Sequence, residues 1–437
     1  MNRIVPNSVV EAAKTKKRYG IAFSLFFLYL VAYVDRSNIT ILLADKPFTD
    51  ALGITGDFAA QGLLMTFFLL PYGLANFITG AISDKLGARV ILIFSCISWA
   101  VIMVLMGFTS VFILMLVFRA ILGFAESPLT PTTDRLIMRW FPSSERNFAN
   151  AIWLVGLTLA PVITLPLLGQ MTASLGWRAN FFVFGIIGLI IPIVLIYRYV
   201  YDKPSDHPSI SKWELQHIGE GLEVKNNVQA ENKPSVWKRH DYWFLVAGNC
   251  LGNGFIWGLI AWLPTYLTKE LHISFVKSSF LSALPWICSV ILMLTVSPLA
   301  DRLKNRNWIL IAALTIASAL MYVVTLFQNS TLIITLLSFA TGVVYIGAFV
   351  GHSALQRVAN SWNIATAGGV FNGMGYIWAA IVPLVIGYLV DATGSFASGF
   401  LFLVGTGLLG AIAYIPVYLQ ELKDNKQVIS EDLNHVI

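Results

Sequence analysis

Charge is what this sequence has least of. Only 12% of its 437 residues are Asp, Glu, Lys or Arg, about half the share usual in a soluble domain. A soluble fold of this length needs a charged surface that this chain cannot supply. Cysteine is scarce as well. Cys96, Cys250 and Cys288 lie inside apolar runs and none has a CxxC partner, which argues against a disulfide framework or a zinc site and leaves them as small packed hydrophobes. No nucleophile–base pair or metal-ligand constellation stands out, so no enzyme activity, metal or cofactor is expected. The net charge of +6 would suit nucleic acid, but the basic residues sit in short segments between apolar runs and not in one stripe, which argues against that partner. A cleavable leader is not expected either, because the first apolar run is long and lacks an A-x-A site.

What is present is hydrophobicity, at 57% of residues, with 33 glycines and 13% aromatics; glycine and interfacial aromatics are both favoured in transmembrane helices. A bilayer core takes roughly twenty apolar residues per helix. Runs fall near 20–42, 58–83, 90–109, 111–140, 147–171 and 179–201, then, after a polar stretch at 202–240, near 241–268, 276–300, 307–327, 331–359, 364–390 and 396–420. The run at 111–140 is long enough to tilt or extend past the bilayer. The expectation is an all-α membrane protein of twelve transmembrane helices in two six-helix halves. A tail at 1–19 precedes a bundle at 20–201, a linker at 202–240, a second bundle at 241–420 and a tail at 421–437. The linker holds Pro204, Pro208, Pro234 and mixed charges, with a short amphipathic helix expected at 213–222.

With the N-terminus placed in the cytoplasm, the outer loops hold only Lys46, Arg178, Lys269 and Lys277, while the remaining loop and tail bases are cytoplasmic. That is a strong positive-inside asymmetry. It predicts a multi-pass protein of a bacterial inner membrane, monomeric in its lipid bilayer, with both termini cytoplasmic. A weak repeat supports two halves: Gly80, Asp84, Lys85, Gly87 and Arg89 follow the second run, and Asp301, Arg302 and Lys304 follow the eighth. Repeats of this kind mark secondary transporters.

The stretch from Gly80 through Asp84 and Lys85 to Arg89 resembles the loop signature of the major facilitator superfamily. Three further stretches resemble the anion:cation symporter family within it: Tyr33, Asp35, Arg36 and Asn38 in the first run; Arg119, Gly123, Glu126, Pro128 and Pro131 in the fourth; and Gly368, Asn372, Pro383, Gly387 and Asp391 in the eleventh. That family includes bacterial sugar-acid carriers and the vesicular glutamate and sialic-acid carriers. The resemblance implies the major facilitator fold and proton-coupled carriage of a small organic anion. It also implies that Asp84, Lys85 and Arg89 act in gating.

Asp35, Arg36, Arg119 and Glu126 are the ionisable residues that most need explaining. A charge at a helix centre costs at least about 2.5–3.5 kcal/mol on insertion scales. Arg119 and Glu126 are seven residues apart and share a face; Asp35 and Arg36 point about 100° apart. Asp35 also lies near the outer end of its run, within reach of water. Structural ion pairing is one reading. The other is anion–proton coupling, in which arginine holds a carboxylate and the acids carry protons. By resemblance, Asp35 and Glu126 are the proton carriers and Arg36 and Arg119 serve the anion and its network. Tyr72 and Asn372 are candidate donors to substrate hydroxyls. Asn76 stands where the family commonly has glutamine, and Tyr376 and Trp378 are bulkier than the family pattern there. Trp153, Asn253 and Trp257 are further lining candidates. His352 is either packed among small neighbours or in contact with substrate or proton. Pro128 is a packing kink or a gating bend, and Tyr266 belongs to an expected outer gate. An exchanger of phosphorylated compounds is the alternative, disfavoured because the seventh run has no base before its outer end; a membrane sensor without flux ranks last.

Overall fold

A computed structural model describes residues 15–142, 145–223, 235–300, 305–359 and 364–436. Among them there are helices and no strands. The first half runs α1 (Arg18–Leu42), α2 (Lys46–Ala51), α3 (Phe58–Leu86), α4 (Ala88–Phe108), α5 (Phe112–Glu126), α6 (Leu129–Trp140), α7 (Arg146–Leu175) and α8 (Trp177–Tyr199). The linker contributes α9 (Lys212–Glu223), where the amphipathic helix was expected. The second half runs α10 (His240–Lys269), α11 (Phe275–Leu281), α12 (Leu284–Ala300), α13 (Trp308–Val324), α14 (Ser330–Val358), α15 (Ile364–Thr393) and α16 (Phe396–Val436). Among the described residues, eleven spans are long and apolar enough to cross a membrane, two of them built from a broken pair of helices, and a twelfth helix, α13, has 17 residues and is apolar but short.

Two apolar runs are broken. The fourth splits between α5 and α6 at Ser127 and Pro128. Pro128 and Pro131 have no backbone donor, and Ser127 instead turns its hydroxyl onto the Phe124 carbonyl at 2.8 Å. The eighth run breaks before Pro285, giving α11 and α12. The last helix continues past 420, where a tail was expected, to Val436.

The halves repeat at the chain level and in their polar caps. Asp202 accepts from the Ala88 amide at the start of α4. Glu421 accepts from the Asn307 amide, at 2.8 Å, at the start of α13. Both acid and amide recur after 219 residues. Each carboxylate satisfies orphan donors at a helix N-terminus. Of the expected gating group, the Asp84 side chain lies outside the described residues, as do Asp301, Arg302 and Lys304 of the repeat. Arg89 turns to the Tyr197 carbonyl at 2.6 Å, beneath the Tyr197 ring, and Lys85 is exposed.

The side bearing the termini is called inner below. Hydrogen bonds between the halves join outer parts of α3 and α15. The Asp391 carboxylate accepts from the Phe58 amide at 3.0 Å and the Ala59 amide at 2.7 Å, and Thr66 donates to the Ala380 carbonyl at 2.6 Å. Glycine makes this approach possible: a Cβ on Gly62 would meet the Pro383 carbonyl at 2.8 Å, and one on Gly387 would strike the Phe58 carbonyl. Phe58 then wedges between Trp262, at 5.8 Å, and Phe396, at 5.5 Å. The outer ends are closed. Tyr266, expected in that gate, packs inside its own half on Phe400 at 4.7 Å, because it faces α16 and not α3.

Candidate substrate and coupling site

The site grows from two broken or crowded places in the first half. In α5, Arg119 and Glu126 point the same way and are fully buried; Asp35 and Arg36 of α1 are 5% exposed. The expectation that water reaches Asp35 from the outer end does not hold, because α1 continues to Leu42 and Asp35 is buried within the bundle. All four charged side chains meet. Arg36 donates to Glu126 through Nε at 3.2 Å and Nη2 at 3.1 Å. The carboxyls of Asp35 and Glu126 lie close enough to interact, with Glu126 Oε1 left without a hydrogen-bond partner, and Arg119 lies close enough to act on both. Arg119 donates to the Leu64 carbonyl at 2.9 Å and lies 4.5 Å above the Phe68 ring, with Nη1 unpartnered. Gly123 makes room for this: a Cβ there would strike the Phe68 carbonyl.

Arg36 stands at the meeting plane of the halves inside an aromatic cage. Its guanidinium carbon lies 4.6 Å from the Tyr72 ring centre, 4.9 Å from Tyr33, 5.4 Å from Phe68 and 5.9 Å from Trp257. Desolvated cation–π contacts contribute about 2 kcal/mol. Tyr376 also lies near Arg36, 4.7 Å from the Tyr72 ring. Beside it lies a cavity lined by Tyr33, Arg36, Trp257 and Trp286 and, further out, by Thr40 and Ser282. Among the described residues, Arg36 is the only charged group lining it.

Inward of the cage the second half offers uncharged polar groups. Asn249 donates to the Phe371 carbonyl at 2.8 Å, and Asn253 donates to the Asn249 side chain at 3.0 Å. Gly375 lets these amides approach α15. His352 is exposed although it lies in a membrane-spanning helix. Its Nδ1 is 3.0 Å from the Ala348 carbonyl, and a carbonyl can only accept, so Nδ1 carries the hydrogen and Nε2 is left as an acceptor beside Asn372. Trp153 stacks on Tyr29 at 4.5 Å along the same inner space.

Two candidates stand apart. Asn38 is fully buried and accepts from Asn180 at 2.9 Å, so it ties α1 to α8 and does not face the cavity. Asn76 folds back on the Tyr72 carbonyl at 2.9 Å. Asn249, Trp286 and Tyr345 were not read from the sequence. The four-residue spacing of Asn249 and Asn253 in an apolar run was a usable signal; Trp286 and Tyr345 carried none, since one aromatic in an apolar helix looks like another.

The profile of the Major Facilitator Superfamily matches residues 25–378 and again 267–434. The chain belongs to the Major Facilitator Superfamily. Similar curated proteins include a D-galactonate transporter of Escherichia coli, 30% identical with 93% of this chain and 97% of that one covered. A probable sulfoacetate transporter of Cupriavidus necator is 28% identical, covering 94% and 97%. A probable galactarate/D-glucarate transporter of Bacillus subtilis is 27% identical, covering 96% and 97%. Among solved structures, a bacterial homologue of the human lysosomal transporter Spinster, inward-facing and occupied, superposes with a TM-score of 0.70 at 16% identity, over 95% of this chain and 98% of that one. That likeness carries the fold alone. This chain is thus a multi-pass membrane transporter of a non-enzymatic class, and the buried charges sit where its two halves meet.

Proposed function

We propose that this transporter is a proton-coupled symporter of sugar acids, with Arg36 as the carboxylate anchor and the Asp35–Glu126 pair as the proton carrier. The observation that carries the reading is the Arg36–Glu126 ion pair, buried at the edge of the interhalf cavity with a second acid against it. Two carboxyls this close disfavour both being ionised, so one proton is favoured between them. Protonating Glu126 weakens its hold on Arg36, and the guanidinium is then free to take a substrate carboxylate bidentately. Substrate and proton thereby bind in a mutually dependent way. Arg119, held on the Leu64 carbonyl, keeps the pair from being left as bare negative charge after the proton departs. The six-helix units at 20–201 and 241–420 rock about this site, the linker at 202–240 joins them on the cytoplasmic side, and both termini are cytoplasmic in a bacterial inner membrane. The chain works as a monomer.

Sugar acids fit because a single cation meets an apolar, aromatic cavity while Asn249, Asn253, Asn372 and His352 supply uncharged partners for hydroxyls. Relatives named for galactonate, galactarate and glucarate support the same class. Exchange of phosphorylated compounds is disfavoured, since among the described residues no base from the second half lines the cavity. Purified protein is to be screened by thermal shift against D-galactonate, galactarate, D-glucarate, a hexuronate and sulfoacetate. Stabilisation by at least one sugar acid, lost in Arg36→Ala, is expected; stabilisation that survives Arg36→Ala unchanged would refute the anchor.

A further inference from the structure

Asp134 has no place in the scheme above, and its position is unusual. It lies on α6 within the fourth membrane-spanning segment, yet its side chain is exposed. Among the described residues its carboxylate makes no hydrogen bond and no ion pair. A lone carboxylate at membrane depth persists only where it faces water or has a task. Helix α6 packs against α1, α3, α4 and α7, so its remaining open face is the one turned to the inner space between the halves. Thr130, one turn before Asp134, lies on that same face.

A line of hydroxyls leads to this acid. The Tyr72 hydroxyl, at the rim of the cage around Arg36, is 3.3 Å from the Thr130 hydroxyl. The Tyr29 hydroxyl is 3.3 Å from the same Thr130 oxygen, and Tyr29 in turn lies within electrostatic reach of Asp134. The rings of Tyr72, Tyr33 and Trp257 surround Arg36, the ion-pair partner of Glu126. The charged groups nearest the upper end of the line are Asp35, Arg36, Arg119 and Glu126. At its lower end no side chain of α1, α3, α4 or α7 pairs with Asp134 among the described residues. Arg135, its neighbour on α6, turns away to the Ser83 carbonyl of α3.

The geometry points to Asp134 as the inner-side proton-release group of this transporter, reached from the Asp35–Glu126 pair along the hydroxyls of Tyr72, Thr130 and Tyr29. This rests on the proton-coupled reading. A water takes the proton from the carboxyl to Tyr72. Each hydroxyl accepts one proton and passes its own forward, the Asp134 carboxylate receives one, and bulk water removes it. No bond other than O–H forms or breaks, and every hydroxyl ends as it began. Asp134 carries the proton and is not an anchor for substrate.

The test compares net uptake with exchange in liposomes holding the full chain, using D-galactonate and a lumenal pH dye. Net uptake requires the inner-side proton to leave in every cycle. Counterflow exchange, in which the loaded carrier shuttles, does not. Asp134→Asn and Thr130→Val are expected to slow net uptake and its coupled proton entry about tenfold while counterflow stays within twofold of wild type, and Asp134→Glu should restore net uptake. Counterflow falling in parallel with net uptake, or net uptake unchanged in Asp134→Asn, would overturn the assignment. Net D-galactonate uptake with no proton entry in the wild-type chain would overturn the coupled reading itself, and Asp134 with it. Neither D-galactonate counterflow nor uptake in the wild type overturns both in the same way.

Discussion

At the residue scale, the cluster is held by geometry that tolerates little change. Gly123 packs its Cα on the Phe68 carbonyl, and Phe68 lies under both Arg36 and Arg119. Gly123→Ala therefore forces α3 and α5 apart at the point where the charges meet. Overpacking of this kind costs about 1–3 kcal/mol, so a lower melting temperature in detergent and weaker sugar-acid binding are expected together; an unchanged melting temperature would show that the helices have slack. Glu126→Gln keeps the shape but removes the charge that Arg36 holds. Net proton-driven accumulation should be lost while counterflow survives, and full accumulation in that variant would dismiss Glu126 as a coupling group. The charged residues were the legible part of the site. Asp35, Arg36, Arg119 and Glu126 announce themselves because a charge in an apolar run has no other ready explanation. Asn38 was misread for a related reason: it sits three residues from Asp35, but its amide serves the α1–α8 contact. Sequence gives a polar residue's position along a helix and not which neighbour it turns to.

At the element scale, the linker helix α9 is fastened to the start of α1. The Glu214 carboxylate accepts from the Thr15 hydroxyl at 2.7 Å and from the amides of Lys17 at 2.9 Å and Arg18 at 3.1 Å, so it caps the first membrane helix. Arg18 also bridges to Glu145 before α7, and His217 of α9 reaches the same carboxylate at 3.0 Å. The hydrogen bond from Arg18, helped by that from His217, brings Glu145 down to about 2 from 4.5. Burial alone would raise Glu214, but the bonds from Thr15, Arg18 and Lys17 outweigh it and hold it below its usual value. A depressed carboxylate stabilises the folded contact above its unfolded pKa and loses that contribution as pH falls through the folded one. The docking of α9 is thus expected to be intact at neutral pH and to weaken between about pH 4.5 and 2. Hydrogen exchange at the start of α1 reads this directly: it should speed up over that window and, at neutral pH, in Glu214→Ala. Equal protection in both would deny the fastening. The amphipathic pattern of α9 was visible in the sequence, whereas its partner was not, because Arg18 and Glu214 are 196 residues apart.

At the scale of the whole molecule, the fold followed from hydropathy, loop charge and the half-chain repeat, and the structure adds where the repeat is exact in function: Asp202 on Ala88 and Glu421 on Asn307. What hydropathy does not carry is the state of the two halves. The outer closure depends on Asp391, which caps the free amides of Phe58 and Ala59 across the gap. Removing such a cap costs about 0.5–2 kcal/mol. Asp391→Ala should therefore shift the carrier toward outer opening by up to roughly thirtyfold, read as faster labelling of a cysteine placed at Thr40 by an outer, impermeant reagent. No change in labelling would assign the seal to the Phe58 cluster instead.

The central claim is that substrate and proton move together because Arg36 and the Asp35–Glu126 pair exchange partners. The most direct measurement is proton entry into dye-loaded liposomes on adding D-galactonate without an imposed gradient. Lumenal acidification in the wild type, absent in Asp35→Asn and Glu126→Gln, is the predicted result; sugar-acid entry without acidification in the wild type would contradict the account.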